Sequence, residues 1–142
     1  MESQRRWFDA SLARGDEKNW IADTTDSAQP VGTISLIGIH WRNRRAELGR
    51  VLIAPDQPRR AGYGRELCRL ALDYAFNHLN LHRIFLDVFA DNAPAVGLYR
   101  SLGFTEEGRH REHVFARGKY RDVLSFSLLA PEFRSAVTGG GP

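Results

Sequence analysis

Arg59-Arg60-Ala61-Gly62-Tyr63-Gly64-Arg65 runs straight into an apolar pattern of helical period, and this stretch decides the fold. Glycine accepts positive φ and lets main-chain N–H groups come close to a ligand. A turn carrying Gly62 and Gly64 at the mouth of a helix therefore aims several donors at one point. The helix end adds a partial positive charge of about half a unit, and Arg59, Arg60 and Arg65 add full ones. A diphosphate suits such a point. The same letters also suit an ordinary basic turn.

Working outward, the apolar residues Leu67, Leu70, Ala71, Tyr74 and Ala75 recur at helical spacing from Gly64 to about Leu79. Cys68, Leu72 and Phe76 widen the stripe, so this helix must be covered on most sides. Upstream, Ala46 to Ile53 reads as a strand stopped by Pro55 and Pro58, which cannot donate ladder hydrogen bonds. Trp20-Ile21-Ala22 and Val31 to Ile39 read as two more strands, joined by a polar turn with Asp26 and Pro30. Trp7, Phe8 and Leu12 suit a short amphipathic helix ending near Gly15. Downstream, Arg83 to Phe89 has almost no polar interruption, as expected of a strand buried in the middle of a sheet. Pro94 fits the first turn of a following helix, with Asn92 near the cap. Phe104 opens another strand, broken at Arg117-Gly118, and Val123 to Leu129 pairs back.

The 142 residues suit one domain around a single core. Its expected span is residues 1–134, with a disordered tail over 135–142 where glycine accumulates. The lone Cys68 cannot form an internal disulfide, and no apolar run approaches the roughly 20 residues needed to cross a bilayer. Met1 to Arg6 is polar, with no apolar signal core, so the cytoplasm is the expected compartment. The formal charge of +3 is spread along the chain, and no nucleic-acid module accompanies it. Arg42, Arg44 and Arg45 form a second basic group beside His40 and Trp41, read as a solvated loop. His78, His82, His110 and His113 lack Cys or carboxylate partners at ligand spacing, so no metal site is expected. Cys68, inside the helix, reads as a buried structural thiol rather than a covalent nucleophile.

The second decisive motif is Asn92-Ala93-Pro94-Ala95-Val96-Gly97-Leu98-Tyr99, closing with Gly103-Phe104. The pair R-x-x-G-x-G and N-x-x-A-x-x-L-Y-x-x-x-G-F at this separation resembles the GNAT superfamily of acetyl-CoA-dependent N-acetyltransferases. The resemblance runs from about Trp20 to Leu129. It lies nearest the branch holding spermidine/diamine acetyltransferases and enzymes that acetylate ribosomal-protein N-termini. Arg44-Arg45-Ala46-Glu47-Leu48, Leu72-Asp73-Tyr74-Ala75-Phe76, Glu106-Glu107-Gly108 and Gly118-Lys119-Tyr120-Arg121-Asp122 carry that closer likeness. It implies an α/β (α+β) fold, a mixed central sheet flanked by helices, here without the usual first strand and first helix. Either the polypeptide starts upstream, or a strand edge needs covering by the tail or a partner; a homodimer stays open.

The resemblance also implies roles. Glu47 matches a glutamate that faces the acceptor and serves as base through water; the plain alternative is a surface glutamate paired with Arg45. The backbone at Leu52 and Ile53 would hold the pantetheine arm and supply an oxyanion donor, with a core role in the sheet besides. Arg59, Arg60, Ala61, Gly62, Tyr63, Gly64 and Arg65 would cradle the cofactor diphosphate. Arg60 stands where many members have glycine, and the stretch from Pro55 to Arg59 looks one residue longer than usual. Tyr99 matches the tyrosine that protonates the leaving thiolate, with helix packing as the alternative. Asn92 would touch the cofactor as well as cap its helix. Asp87, Asp91, Glu106 and Glu107 either flank the acceptor entrance or are simply solvated. The implied reaction is transfer of acetyl from acetyl-CoA to the primary amine of a small molecule such as a polyamine, diamine or amino sugar. The three arginines oppose a polycation, so a ribosomal-protein N-terminus stays open. A silent acyl-CoA-binding module is the alternative of another class.

Overall fold

Period-two spacing of β-branched and aromatic residues does what it dictates between Trp20 and Ile53. Strands β2 (Lys18–Thr24), β3 (Pro30–His40) and β4 (Arg45–Ile53) pair antiparallel in chain order. The computed structural model describes residues 5–9, 15–24, 30–53 and 62–138. The chain forms two compact units, Met1–Leu81 and His82–Pro142.

In the first unit, β1 (Arg5–Asp9) corrects the expected N-terminal helix. It is a strand, with Trp7 opposite Ala22 and Phe8 opposite Ile21. Adjacent aromatics favour a pleated surface, and a ladder partner many residues away outweighs a weak helical period. The outer edge of β2, expected to need a cover, is paired along β1.

Helix α1 (Tyr63–Asp73) continues as a π-helical turn, Tyr74–His78. Leu67, Cys68, Ala71, Leu72, Ala75 and Phe76 are buried, as are Ile34 and Leu36 of β3 and Ala46 and Leu48 of β4. Trp20 meets Tyr74 edge-on, with ring centroids 5.2 Å apart.

Two irregularities decide which residues face the helix. Ile37 pairs with Glu47 and His40 with Arg45, so Gly38 and Ile39 together oppose Ala46. Gly38 takes φ +60°, the left-handed conformation that such a bulge asks of its first residue. The extra residue flips the alternation, and Ile39 rather than Gly38 is buried. On β4, Ser35 opposes Gly49 and Thr33 opposes Leu52, so Arg50 and Val51 share the position facing Ile34.

In the second unit, β5 (Arg83–Phe89), β7 (Lys119–Leu129) and β6 (Thr105–Ala116) lie side by side in that order, all antiparallel. The expected turn at Arg117-Gly118 is there, both residues at positive φ, in a two-residue connection between Ala116 and Lys119. β5 does not have both faces buried, as its apolar run suggested. Ile84, Leu86 and Val88 are buried, while Asp87 on the other face is exposed. Helix α2 (Ala93–Ser101) lies on the buried face, where the Arg100 guanidinium sits 5.4 Å from the Phe126 ring and pairs with Glu106 at 2.8 Å.

Helix α3 (Ala130–Thr138) was not foreseen, and it runs into the segment expected to be a disordered tail. Pro131 in its first turn and Glu132, whose Oε1 accepts from the Leu129 N–H at 2.8 Å, are the signal that announces it. Residues 139–142 lie outside the described residues.

β6 carries one extra residue, Glu107, between Glu106 and Gly108. Its carboxylate takes both arms of the Arg83 guanidinium, at 2.6 and 2.8 Å. This bond, with help from Ser127, pulls the Glu107 carboxyl down to about 2 from its ordinary 4.5. The folded value is the depressed one, so the pair's contribution is present above pH 4.5 and is lost as pH falls toward 2. Glu107→Gln should therefore narrow the stability gap between pH 6 and pH 3, read from denaturant midpoints at each pH. Because the pair is partly exposed, the change will be small.

Candidate active site

Gly62 is the N-cap of α1 with φ +79° and ψ +15°, the left-handed conformation foreseen for the glycine that opens the helix. A Cβ built there would meet nothing within 4 Å. The glycine is thus needed for its backbone angle and for open space in front of it, not to relieve a clash inside the protein. Gly64 and Arg65 form the first turn beside Tyr63, and the Glu66 N–H donates to the Gly62 carbonyl at 3.0 Å. First-turn N–H groups of an α-helix have no carbonyl four residues back, so this end suits an anion. Arg59, Arg60 and Ala61 lie outside the described residues. Gly62→Val should lower stability by about 1–2 kcal/mol through strain at positive φ and weaken CoA binding besides. Denaturation and calorimetry with CoA check the two effects separately.

The bulge at Arg50 and Val51 shapes the site on β4. Counting by twos from Glu47 reaches Gly49 and then misses Leu52; the extra residue restores it, so Glu47, Gly49 and Leu52 share a sheet face. Opposite them on β3 stand Ile37, Ser35 and Thr33. Leu52 is 66% exposed, which corrects the core role expected for it: its side chain lines an open face. Ile53 pairs with Gly32 along the ladder, and its side chain lies outside the described residues. A Cβ at Gly49 would come 2.8 Å from Ile37 Cδ1, so even the smallest side chain there pushes into this face. Glu47 is half-buried on it, while Ala46 and Leu48 turn to the core.

On α2, Asn92 is the N-cap, its Oδ1 accepting from the Ala95 N–H at 3.3 Å, and Pro94 sits in the first turn. The capping role foreseen for Asn92 is therefore filled. Tyr99 is half-buried, its ring set edge-on to Phe104 with centroids 5.8 Å apart. The Tyr99 carbonyl ends the helix by accepting from the N–H groups of Leu102 and Phe104. Gly103 at φ +99° makes that turn possible. Among the described residues of α2 none is fully buried, so its side chains are only half spent on packing.

Cys68 is buried, and desolvation pushes its thiol up to about 12. At neutral pH it holds its proton and has no nucleophilic form. Iodoacetamide should leave it unmodified in folded protein and alkylate it fully in denaturant, as mass spectrometry would show.

Sequence reasoning noticed Asp87 and His110 but not what joins them. Ser125 of β7 lies between, and its hydroxyl donates to Asp87 Oδ1 at 2.8 Å while standing 2.9 Å from His110 Nε2. A period-two reading of β7 finds only a small polar residue at that position. Among the described residues no helix is long and apolar enough to cross a membrane.

Comparison with known proteins places the chain in a family. The chain is 41% identical over 103 residues to the spermidine N(1)-acetyltransferase of Vibrio cholerae, a match covering 72% of this chain and 58% of that protein. It is 28% identical over 126 residues to the protein of that name from Escherichia coli, covering 89% and 66%. The chain thus spans less than two thirds of the length of these relatives. The crystal structure of spermidine N-acetyltransferase from Vibrio cholerae in complex with CoA and spermine superposes with a TM-score of 0.79 at 36% identity, covering 84% of this chain and 69% of that one. The family model described as Acetyltransferase (GNAT) family matches residues 1–104. A family model that matches residues 1–104, together with the similar fold of that relative, shows that the chain belongs to the GNAT acetyltransferase family.

Proposed function

We propose that the protein is an acetyl-CoA-dependent N-acetyltransferase of the cytoplasm that moves acetyl directly to a primary amine of a small molecule. A polyamine or diamine is the preferred acceptor. The observation that carries this reading is Gly62, held at φ +79° in open space at the start of an 11-residue helix. Such a backbone geometry suits a diphosphate, and a relative of similar fold is described in complex with CoA and spermine. Arg42 and Arg44 on the turn between β3 and β4, and Arg45 at the start of β4, stand exposed, where water and salt screen their repulsion of a polycation.

Bound acetyl-CoA would supply an activated thioester. The amine nitrogen forms a bond to the carbonyl carbon, and the carbon–sulfur bond breaks. A primary amine with pKa near 10 is only about one part in 10³ free base at pH 7, a cost of ~4 kcal/mol. Glu47, through water, receives the ammonium proton. Main-chain N–H groups of the strand end at Leu52 and Ile53 face the oxygen on which charge develops. Tyr99 gives its proton to the departing sulfur, Asn92 contacts the cofactor, and the α1 entry seats its diphosphate.

Thiol release from acetyl-CoA across a panel of polyamines, diamines, amino sugars and N-terminal peptides tests the proposal. Turnover with small linear amines is expected. At subsaturating amine, the rate should climb about tenfold per pH unit toward the amine pKa. Tight CoA binding with no turnover on any amine would overturn it.

A further inference from the structure

We propose that the open face of β5, β7 and β6 holds an anchoring site for an alkylammonium group, centred on Asp87 and braced by Ser125 and His110. The site lies within the second unit and rests on the proposed activity only in naming which ammonium reaches it. Asp87 pairs with Ser125 across the ladder, and Ser125 with Gly108, while Phe89, Val123 and His110 form the next row of the same face. Asp87 opens onto a cavity of about 460 Å³ whose other walls include Phe89, Asn92, His113, Val114 and Val123.

Three features give this cavity its chemistry. The first is charge: among the described residues that line it, Asp87 is the one carboxylate, and none is Lys or Arg. The cations nearby are drawn to other carboxylates. Arg83 binds Glu107 at 2.6 Å, Arg109 binds Asp122 at 2.7 Å, and Arg121 and Lys119 reach Asp91 at 2.5 and 3.7 Å. Among the described residues no cationic side chain forms an ion pair with Asp87, whose one side-chain partner is the neutral Ser125 hydroxyl.

The second is orientation. The Ser125 hydroxyl donates to Oδ1, and because its proton is committed there, His110 Nε2 must donate to Ser125 Oγ. Donors thus run from β6 through β7 to β5 and end on one carboxylate oxygen, leaving Oδ2 for an incoming N–H. His110 is itself held against His113, with ring centroids 5.1 Å apart. The third is shape: Phe89, Val114 and Val123 offer apolar walls that suit the methylene chain behind an ammonium, and Phe89 is kept in place by the Arg121 guanidinium 3.8 Å from its ring. A carboxylate at the base of an apolar trough selects a cation on a hydrocarbon stem over a neutral or anionic ligand.

Anchoring differs from proton transfer in what it changes. Holding one ammonium of a diamine while the other end reacts lowers KM and leaves kcat alone. Calorimetry of the full chain with 1,4-diaminobutane, without acetyl-CoA, should give binding that Asp87→Asn weakens about tenfold and Asp87→Glu only partly. 1-Butanol should not bind. Ser125→Ala should weaken binding about threefold, and Ser125→Thr, which restores the hydroxyl, should recover it; a merely structural serine would not be rescued in this way. In the acetyl-transfer assay Asp87→Asn should raise the diamine KM with kcat within about twofold. Equal diamine affinity in wild type and Asp87→Asn, or a collapse of kcat at unchanged KM, overturns the anchor while leaving the proposed activity standing. Asp87-dependent binding in a protein that turns over no amine keeps the anchor and removes the activity.

Discussion

Tyr99→Phe lowers kcat by about tenfold to a hundredfold and leaves KM for amine and acetyl-CoA within about twofold. The ring is retained, so the edge-on packing on Phe104 and the carbonyl contacts that end α2 are undisturbed. Only the hydroxyl is lost. A thiol with pKa near 8.5 leaves as thiolate without much help, which keeps the effect at the modest end for acid catalysis. Steady-state kinetics at several pH values check it. Were Tyr99 only a packing residue, Phe would serve equally well and the two enzymes would match.

Phe126→Ala lowers stability by about 3–5 kcal/mol, enough to take a marginal domain close to unfolding. The ring is fully buried between Leu86 and Glu106 on the ladder, with the Arg100 guanidinium over it. Alanine leaves a void that strands on both sides cannot close without breaking register. A melting temperature lower by roughly 10 °C and a matching drop in denaturant midpoint are expected. A loss under 1 kcal/mol would mean that this face relaxes far more than a paired sheet should.

What was legible in the chain follows from where its information is stored. Strands β2 to β5, helix α1 and the Arg117-Gly118 turn came through because their signals are local: period, proline stops and glycine at positive φ. β1 did not, since the pairing of Trp7 with Ala22 is settled by a partner that no window around Trp7 contains. Around the proposed site, the helix-opening positions of Gly62 and Asn92 were legible because backbone demands select their types. Leu52 was misjudged as core because a bulge, which leaves no mark in residue identity, turns it to the open face. The link from Asp87 to His110 spans 38 and then 15 residues, and only the folded ladder makes it.

Farther along β6, Arg111, Glu112 and His113 stand together against Asp122, whose carboxylate accepts from the Glu112 N–H at 2.8 Å and from Arg109. A clasp of this kind works as an expansion joint. A residue gained or lost there would leave the rows on either side in step, so length variation is expected to gather at this knuckle and spare the strands that flank it.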